Sequence, residues 1–150
     1  MQVTARVDYA LRAMLTLAAA EPAIVKAQVL ADTQQMPIKY LYSVLAELRR
    51  ADLVCSRRGA VGGYTLSRPA TEICLDDVVR AVDGTLTSVN GVPAERARYG
   101  GPAMLLREVW LAAGKATLHV LGEVSLAHLV AGRLPPHVQR LADEPVGPRA

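Results

Sequence analysis

The stretch SRRGAVGGYTLSRP, residues 56–69, holds the side chains best suited to chemistry in this chain, three arginines among three glycines. A guanidinium group stays charged at physiological pH and donates paired hydrogen bonds to phosphate oxygens. Gly62 and Gly63 bring no side chains near Arg57 and Arg58, so a polyanion can approach this segment closely. These residue types predict that the segment contacts the phosphates or the narrow minor groove of a nucleic acid.

The remaining polar residues form no recognisable catalytic or metal-binding set. The chain has no nucleophile elbow, no phosphate-binding Gly-Lys-Ser/Thr loop and no convergent group of His, Asp and Glu, so we expect no enzymatic activity. His119, His128 and His137 recur every nine residues, and at this spacing they do not share one helix face. Pro135–Pro136 also breaks any helix that would join His128 to His137. We therefore expect surface or interface histidines, no metal site and no cofactor.

Cys55 and Cys74 are the two cysteines, too few for a disulfide framework and without metal-ligand spacing. One interpretation is a thiol redox switch, because Cys55 lies beside the basic segment and Cys74 begins a helix, whose positive dipole end lowers a thiol pKa. The other interpretation, which we favour, is that both are small buried hydrophobic residues.

Composition favours one compact, mainly helical domain. The chain has 150 residues and a mass of 16.0 kDa, is 51% hydrophobic with a mean hydropathy of +0.21, and contains 4% aromatic residues and no Phe. No apolar run approaches the roughly 18 to 20 residues of a membrane span. Asp8 and Arg12 interrupt the first apolar pattern, which does not suit a secretory signal. We expect a cytoplasmic protein without a membrane partner.

The positive charge is concentrated in the first half of the chain. Residues 1–68 hold nine Lys and Arg against five Asp and Glu, whereas residues 69–150 hold eight against nine. The surplus therefore accompanies the arginine-rich segment, as expected for a polyanion partner.

The elements that must position this segment are three helices. Thr4 is a suitable N-cap for a first helix, whose apolar residues recur at three- and four-residue spacing until Pro22. KAQVLADT forms a short second helix with Val29 and Leu30 inward, and Pro37 suits the first turn of a third. Two helices joined by a short turn indicate a helix-turn-helix, whose second helix presents its early residues to base edges. Those exposed residues are Lys39, Tyr40, Tyr42 and Ser43.

Two short strands follow the third helix directly. Residues 53–55 and 64–66 are strand-like, and the glycines between them supply the turn of a β-hairpin. A helix-turn-helix with an adjacent basic hairpin is a winged helix, and we call residues 53–66 the wing. The combination predicts double-stranded DNA as the partner.

The second half begins with ICLDDVVRAVDG, a short helix closed by Gly84 in a C-capping role. Residues 85–101 show no period and indicate a loop of functional length. Arg96, Arg98 and Tyr99 could bind an anion there, so a small ligand or a partner protein could dock on this sensor-type loop; the alternative is a solvated loop.

From Pro102 the chain shows its longest helical pattern, with more apolar surface than a small monomer covers. A homodimer would bury this surface and place two reading helices about 34 Å apart, one turn of B-DNA; the alternative is that the helix folds back on the first helix. Ser125 caps a last short helix. The predicted dimer contacts are Leu106, Val109, Trp110, Ala113, Thr117 and Val120.

These patterns predict a mainly α fold with a small β-hairpin wing and a long dimerisation helix. The expected regions are a winged helix-turn-helix (residues 1–84) whose first helix also packs on the dimerisation region, the sensor-type loop (85–101), the dimerisation helix with a short C-terminal helix (102–134) and a flexible tail (135–150).

Several stretches carry a recognisable pattern: VDYALRAMLTLA, MPIKYLYSVLAELRRADLVCSRRGAVGGYTLSRPATEICLDDVVRAVDG and LREVWLAAGKATLHVLGEVSLAHL. The most specific part is the wing, with Leu-Val, Arg-Gly, Gly-Gly-Tyr and Leu in order, followed by a short helix that ends in Val-Asp-Gly. In these stretches the chain resembles the Rrf family (IscR-, NsrR- and CymR-like) of bacterial winged helix-turn-helix transcriptional regulators.

The resemblance implies a homodimer that binds palindromic operators, with Lys39, Tyr40, Tyr42 and Ser43 facing the major groove. It also implies that Arg58 contacts the minor groove and that Thr4 and Lys26 contact phosphates. Relatives that bind one class of site carry Glu where this chain has Tyr42, so the resemblance does not specify the operator sequence.

The chain departs from the cluster-binding members of that family. Those members hold an iron–sulfur centre with three cysteines in the loop before the long helix, and here that loop, SVNGVPAERARYGG, has none. A histidine ligand of some members falls on Arg107, and Asp8 matches a carboxylate ligand of others, but one oxygen ligand does not retain a cluster without thiolates. We therefore predict a dimeric repressor without iron; the alternative is a protein-interaction module, or a thiol- or ligand-responsive regulator, whose winged helix docks a partner protein.

Overall fold

The computed structural model describes residues 2–84 and 86–147, and its first three helices form the expected helix-turn-helix. Helix α1 spans Ala5–Ala20, α2 spans Ala27–Gln34 and α3 spans Ile38–Arg50. Thr4 caps α1 as predicted, its hydroxyl accepting a hydrogen bond from the amide of Val7 at 3.3 Å. Leu30 is fully buried, but Val29 is 50% exposed, so its predicted inward position is wrong: α2 is short and turns only one side to the core.

The wing consists of β1 (Val54–Arg57) and β2 (Gly63–Leu66), paired antiparallel with Val54 opposite Leu66. It is fastened to the segment between α1 and α2, because Val25 and Tyr64 exchange two backbone hydrogen bonds of 2.8 and 2.9 Å. The wing therefore has a set orientation relative to α2 and α3.

Two glycines make the wing sterically possible, Gly63 at the attachment to Val25 and Gly62 in the turn of the hairpin. A Cβ on Gly63 would lie 2.5 Å from the carbonyl oxygen of Val25, and one on Gly62 would lie 2.2 Å from that of Arg57. Both obstacles are backbone atoms, which cannot move aside as a flexible side chain can. The glycine pair that suggested an open approach for DNA is thus required first for packing within the chain.

We expect Gly62→Ala to destabilise the fold by about 2 kcal/mol or more, because the added methyl group must displace paired backbone. Thermal or urea unfolding measures the change. Gly100→Ala is the matched control, since nothing lies within 4 Å of a Cβ at that position. Equal stability of the two variants would contradict this prediction.

The second half packs around α4 (Leu75–Val82), whose C-terminus is closed by Gly84 at φ +71° as expected. The predicted loop contains a small hairpin, β3 (Ser88–Val89) and β4 (Val92–Pro93), turned at Asn90–Gly91. The Asn-Gly pair was the available sequence signal, but two-residue strands are too short to show a period. Thr85, the first residue of that predicted loop, lies outside the described residues.

Helix α5 spans Leu106–Gly122, beginning later than Pro102 because a 3-10 turn at Gly101–Ala103 precedes it. It packs mainly against α4 and the 3-10 turn Ala94–Arg96. Gly114 allows one close approach, since a Cβ there would lie 2.3 Å from the hydroxyl of Thr87.

The chain then returns to the core through α6 (Leu126–Val130), capped by Ser125 as predicted. The backbone of Leu126 bonds to Ile73 at 2.9 Å, and that of Leu75 bonds to Val124 at 2.9 Å, which joins the start of α6 to the start of α4. Helix α1 packs on α4, α6 and α3.

The segment expected to be a flexible tail differs from the prediction, because Pro136–Asp143 form helix α7. Pro136 begins this helix without cost, since its missing N–H has no partner in a first turn. Residues 148–150 of that predicted tail lie outside the described residues. None of the helices formed by residues 2–84 and 86–147 combines the length and apolar character needed to cross a membrane.

Candidate nucleic-acid interface

The exposed face of α3 carries the four residues predicted to read DNA. Lys39, Tyr42 and Ser43 are exposed, with Tyr42 at 53%, while Leu41 and Val44 between them are fully buried. An apolar stripe holds α3 against the core and leaves these polar side chains outside.

Tyr40 occupies a different environment from its three neighbours. Its ring packs edge-on against Tyr9 of α1, with centroids 5.4 Å apart, and the Arg12 guanidinium lies over the Tyr9 ring, 5.0 Å from its centroid. Asp8 pairs with Arg12 at 2.7 Å. This stack connects the first turn of α3 to α1, so Tyr40 contributes to the placement of the helix whether or not it also touches DNA.

A groove of about 510 Å³ lies between the wing, the N-terminus of α2 and α3. Four cations line it, from three separate parts of the chain, and no carboxylate of the described residues does so. The polar side chains along it are Lys26, Gln28, Tyr42, Arg49, Ser56, Arg57, Arg58 and Tyr64. Cations brought together without compensating carboxylates make a local positive potential suited to a polyanion.

Arg49 and Gln28 are groove residues that sequence reasoning missed. The Arg49 guanidinium donates to the Ser56 hydroxyl at 3.1 Å and so bridges α3 and β1. The available signal was the Arg49–Arg50 pair in the last turn of α3, directly before the wing. Nothing in the sequence distinguishes Arg49, which faces the groove, from its neighbour.

Three predicted contacts have structural roles inside the chain. The hydroxyl of Thr4 caps α1 and donates to the Asp83 carboxylate at 3.2 Å. Gly62 is buried, and Gly63 packs against Val25 where the wing is attached. Direct contact of Thr4, Gly62 or Gly63 with DNA stays a prediction.

Helix α5 leaves much of its apolar surface exposed to solvent. Of its seventeen residues, all of which the structure describes, only Gly114 is buried. Val109 is 54% exposed and Trp110 is 36% exposed, and Met104 and Leu105 just before the helix are 64% and 68% exposed. Of the remaining predicted contacts, Leu106 and Ala113 are exposed, and Thr117 and Val120 are half-buried. Contiguous exposed apolar residues of this kind mark an interaction surface.

The two cysteines lie on different elements and are both free thiols. Cys55 is exposed on β1, so its predicted burial is wrong: strand residues alternate, and it points away from the core. Cys74 is half-buried at the N-cap of α4, where its sulfur accepts from the Asp77 amide. Burial, followed by the charges of Asp77 and Asp76, raises the Cys74 pKa and outweighs Arg68, so the expected lowering by the helix end is wrong.

The raised pKa makes Cys74 a slow nucleophile at neutral pH. The Cys55→Ser variant leaves Cys74 as the single thiol. As the pH is raised, we expect alkylation of Cys74 to accelerate at a higher pH in the folded protein than in the urea-unfolded protein. Because the folded state holds the proton more tightly, this thiol's contribution to stability is present below pH 9.0, the ordinary thiol value, and is lost as pH rises through the folded pKa. Acceleration of the folded form at lower pH than the unfolded form would contradict this.

The three histidines lie on three different helices, so they do not share one helix face. His119 on α5 is 4.0 Å from the Glu123 carboxylate, His128 closes the capping box of α6 and His137 belongs to α7. Cys74, Asp76 and Asp77 are the residues whose potential ligand atoms lie together, within 4.8 Å, in the described part of the chain. They already serve α4, since Asp77 accepts from the Cys74 amide and Asp76 pairs with Arg80.

Comparison with known proteins agrees with this geometry. The family model described as "Rrf2: Iron-dependent Transcriptional regulator" matches residues 3–132. The chain is 43% identical, over 96% of its length and 90% of the relative's, to Rv1287 of Mycobacterium tuberculosis H37Rv, described as an HTH-type transcriptional regulator. It is 31% identical to the HTH-type transcriptional regulator IscR of Xenorhabdus nematophila, over 87% of this chain and 79% of that one.

Solved structures show the same fold. CymR, the global cysteine regulator of B. subtilis, superposes with a TM-score of 0.72 at 28% identity, covering 89% of this chain and 99% of that one. IscR of T. potens superposes with a TM-score of 0.71 at 26% identity, covering 98% of this chain and 94% of that one.

Proposed function

Because this chain belongs to the Rrf2 family of transcriptional regulators, we propose that it is a homodimeric repressor that reads palindromic operators through α3 and the wing, without an iron–sulfur cluster. Members of this family are DNA-binding regulators and not enzymes, which agrees with the predicted absence of a catalytic set. The observation that carries the proposal is the groove of four cations between α2, α3 and the wing.

The exposed first turns of α3 suit the major groove. Lys39, Tyr42 and Ser43 offer an ammonium group and two hydroxyl groups, which can bond to base edges or phosphates. Tyr40 supports their position through Tyr9 on α1. A helix held rigidly at its N-terminal end keeps these side chains in one register on the duplex.

Phosphate binding is assigned to the groove. Arg57 and Arg58 are exposed on the wing, and Lys26 lies at the opposite side, directly before α2. No side chain in the described part of the chain caps the N-terminus of α2, so its first amides and its positive dipole end can also face a phosphate. The wing attachment at Val25 supports this arrangement, because it fixes the distance between the two cationic sides.

Dimerisation is assigned to the exposed apolar face of α5. Covering Val109 and Trp110 with the same residues of a second copy would remove apolar surface from water on both chains at once. The two-fold axis would also pair two wings and two α3 helices, which is the symmetry that a palindromic operator requires.

The test is binding to the DNA upstream of the protein's own gene, measured by footprinting and by titration at several salt concentrations. We expect a symmetric footprint and an affinity that falls steeply as salt rises, because each neutralised phosphate releases counterions. A shallow salt dependence without a footprint would contradict DNA binding through the wing.

The iron that the family description implies does not fit the residues of this chain. Iron–sulfur clusters are held chiefly by thiolates, and the two cysteines lie on β1 and at the start of α4. Residues 86–105 supply Arg96 and Arg98 in place of sulfur ligands, and Arg107 follows at the start of α5. The carboxylate of Asp8 is already paired with Arg12.

We therefore expect anaerobic incubation with ferrous iron and sulfide to produce no visible charge-transfer absorption that survives desalting. An iron chelator should leave operator affinity within about twofold, since a site with few thiolates retains no cluster. Appearance of stable absorption that disappears in a Cys55→Ser and Cys74→Ser double variant would contradict the cluster-free assignment.

A further inference from the structure

A cavity of about 740 Å³ lies between residues 95–99 and the start of α5, well apart from the basic groove in sequence. This volume falls in the range of small-molecule sites, which is roughly 300 to 1,000 Å³. Its charged and polar lining residues are Glu95, Arg96, Arg98, Tyr99, Arg107 and Glu108, and Met104 adds an apolar side chain.

The arginines of this cavity differ in how they are held. Two nitrogens of Arg107 donate to the carbonyl oxygen of Glu95 at 3.3 Å, and a third lies 3.4 Å from the Glu108 carboxylate. Arg96 and Arg98 have no hydrogen-bond or ion-pair partner among residues 2–84 and 86–147. The cavity therefore contains one fixed guanidinium and two whose donors are unused.

Charge and shape together favour an organic anion over an inorganic one. Three guanidinium groups exceed the two carboxylates of Glu95 and Glu108, which leaves a positive balance. Met104, 64% exposed, adds an apolar surface for a carbon skeleton. The hydroxyl oxygen of Tyr99 accepts from Trp110 at 3.1 Å.

We propose that this cavity binds a small organic anion with two or more carboxylate or phosphate groups. Arg96 and Arg98 bind the charged groups with charge-assisted hydrogen bonds, Arg107 forms the fixed wall and Met104 contacts the carbon chain. In the free protein the three neighbouring cations repel one another. A bound anion offsets this repulsion, which favours binding.

A regulatory consequence rests on the proposed function. The cavity joins residues 95–99 to the N-terminal end of α5, and the exposed face of that helix is the proposed dimer surface. An anion that draws the two segments together alters the position of α5, and with it the spacing of the two α3 helices.

The structure contains its own reporter for the test, because Trp110 is the single tryptophan and bonds to Tyr99 at the cavity wall. Citrate and fructose 1,6-bisphosphate are titrated separately into the full chain without DNA at constant ionic strength, with tryptophan emission and calorimetry as readouts. We expect saturation by at least one probe at about 1 mM or below; the probe that saturates identifies carboxylate or phosphate as the preferred group.

The Arg96→Gln/Arg98→Gln variant is expected to weaken this binding about tenfold or more, because both charge-assisted interactions are removed. Both side chains are exposed and have no partner among the residues that the structure describes, so the variant should fold normally. Arg133→Gln/Arg140→Gln, which removes two exposed charges from the C-terminal region, is the matched control and should bind like the parent.

The proposal is overturned if neither citrate nor fructose 1,6-bisphosphate gives saturation in either readout. It is also overturned if the Arg96→Gln/Arg98→Gln variant binds the probe as tightly as the parent. Weaker operator binding by that variant without any anion, together with no response to the probes, would show that these arginines contact DNA. In that outcome the anion site is wrong while the DNA-binding proposal stands. Failure of operator binding alone leaves the anion titration valid, so the two proposals are tested separately.

Discussion

Val109→Asp is expected to convert the proposed dimer to a monomer and to weaken operator binding at least about a hundredfold. In the single chain Val109 is 54% exposed, so the carboxylate is solvated and the subunit folds. Across a two-fold axis, two such carboxylates would lose their water inside an apolar contact and repel each other. Separate subunits bind each half-site alone and lose the roughly 10²- to 10⁴-fold gain of linked sites.

Sedimentation measures the mass and a mobility-shift titration measures the affinity. Val146→Asp is the matched control, because it adds the same charge at a fully exposed valine outside α5. A Val109→Asp protein that sediments as a dimer would show that the apolar face of α5 is not the subunit contact. A monomer with unchanged operator affinity would show that one subunit suffices for binding.

Arg57→Ala/Arg58→Ala should lower operator affinity about a hundredfold or more at physiological salt. A symmetric dimer loses four guanidinium groups at once, and removing each arginine that neutralises a phosphate should reduce the salt slope by roughly one. Both side chains are exposed, so the unfolding midpoint should remain close to that of the parent.

The dependence of operator affinity on salt concentration distinguishes the loss of phosphate contacts from a loss of folded structure. A distorted wing would lower the affinity and the unfolding temperature together, whereas removal of phosphate-binding arginines lowers the affinity and the salt slope. The Arg133→Ala/Arg140→Ala variant removes the same number of charges from exposed positions near the C-terminus and should retain full affinity. A wing variant with an unchanged salt slope would show that these arginines do not bind DNA phosphates.

Local patterns were enough for most of the elements near the candidate interface. The three helices of residues 5–50 follow their apolar spacing, and Thr4 and Ser125 cap their helices as their types predict. The Rrf family and the winged fold were recognisable in the sequence and are confirmed by the comparisons. Two elements were not predicted. The two-residue strands beside Asn90–Gly91 are too short to show a period, and Pro135–Pro136 suggested a helix break although Pro136 starts helix α7.

Properties that depend on packing against distant parts of the chain could not be predicted from local sequence patterns. The expected lowering of the Cys74 pKa considered only the helix end. Asp77 and Asp76, close by in sequence, could have been included, but the larger cause that raises this pKa is burial, which only packing of the folded chain supplies. The glycine pair of the wing suggested access for DNA, but the steric requirement at Gly63 comes from Val25, nearly forty residues earlier.

The sequence by itself determined which segments become helices and strands and where the cationic side chains lie along the chain, because spacing, caps and turn residues act over a few positions. Only the tertiary structure decided that Lys26, Arg49 and Arg58 share one groove, and that Arg96, Arg98 and Arg107 share another cavity. The physical reason is that packing of α1 to α5 sets the distances between charges remote in sequence. Electrostatic potential depends on those distances and not on order along the chain.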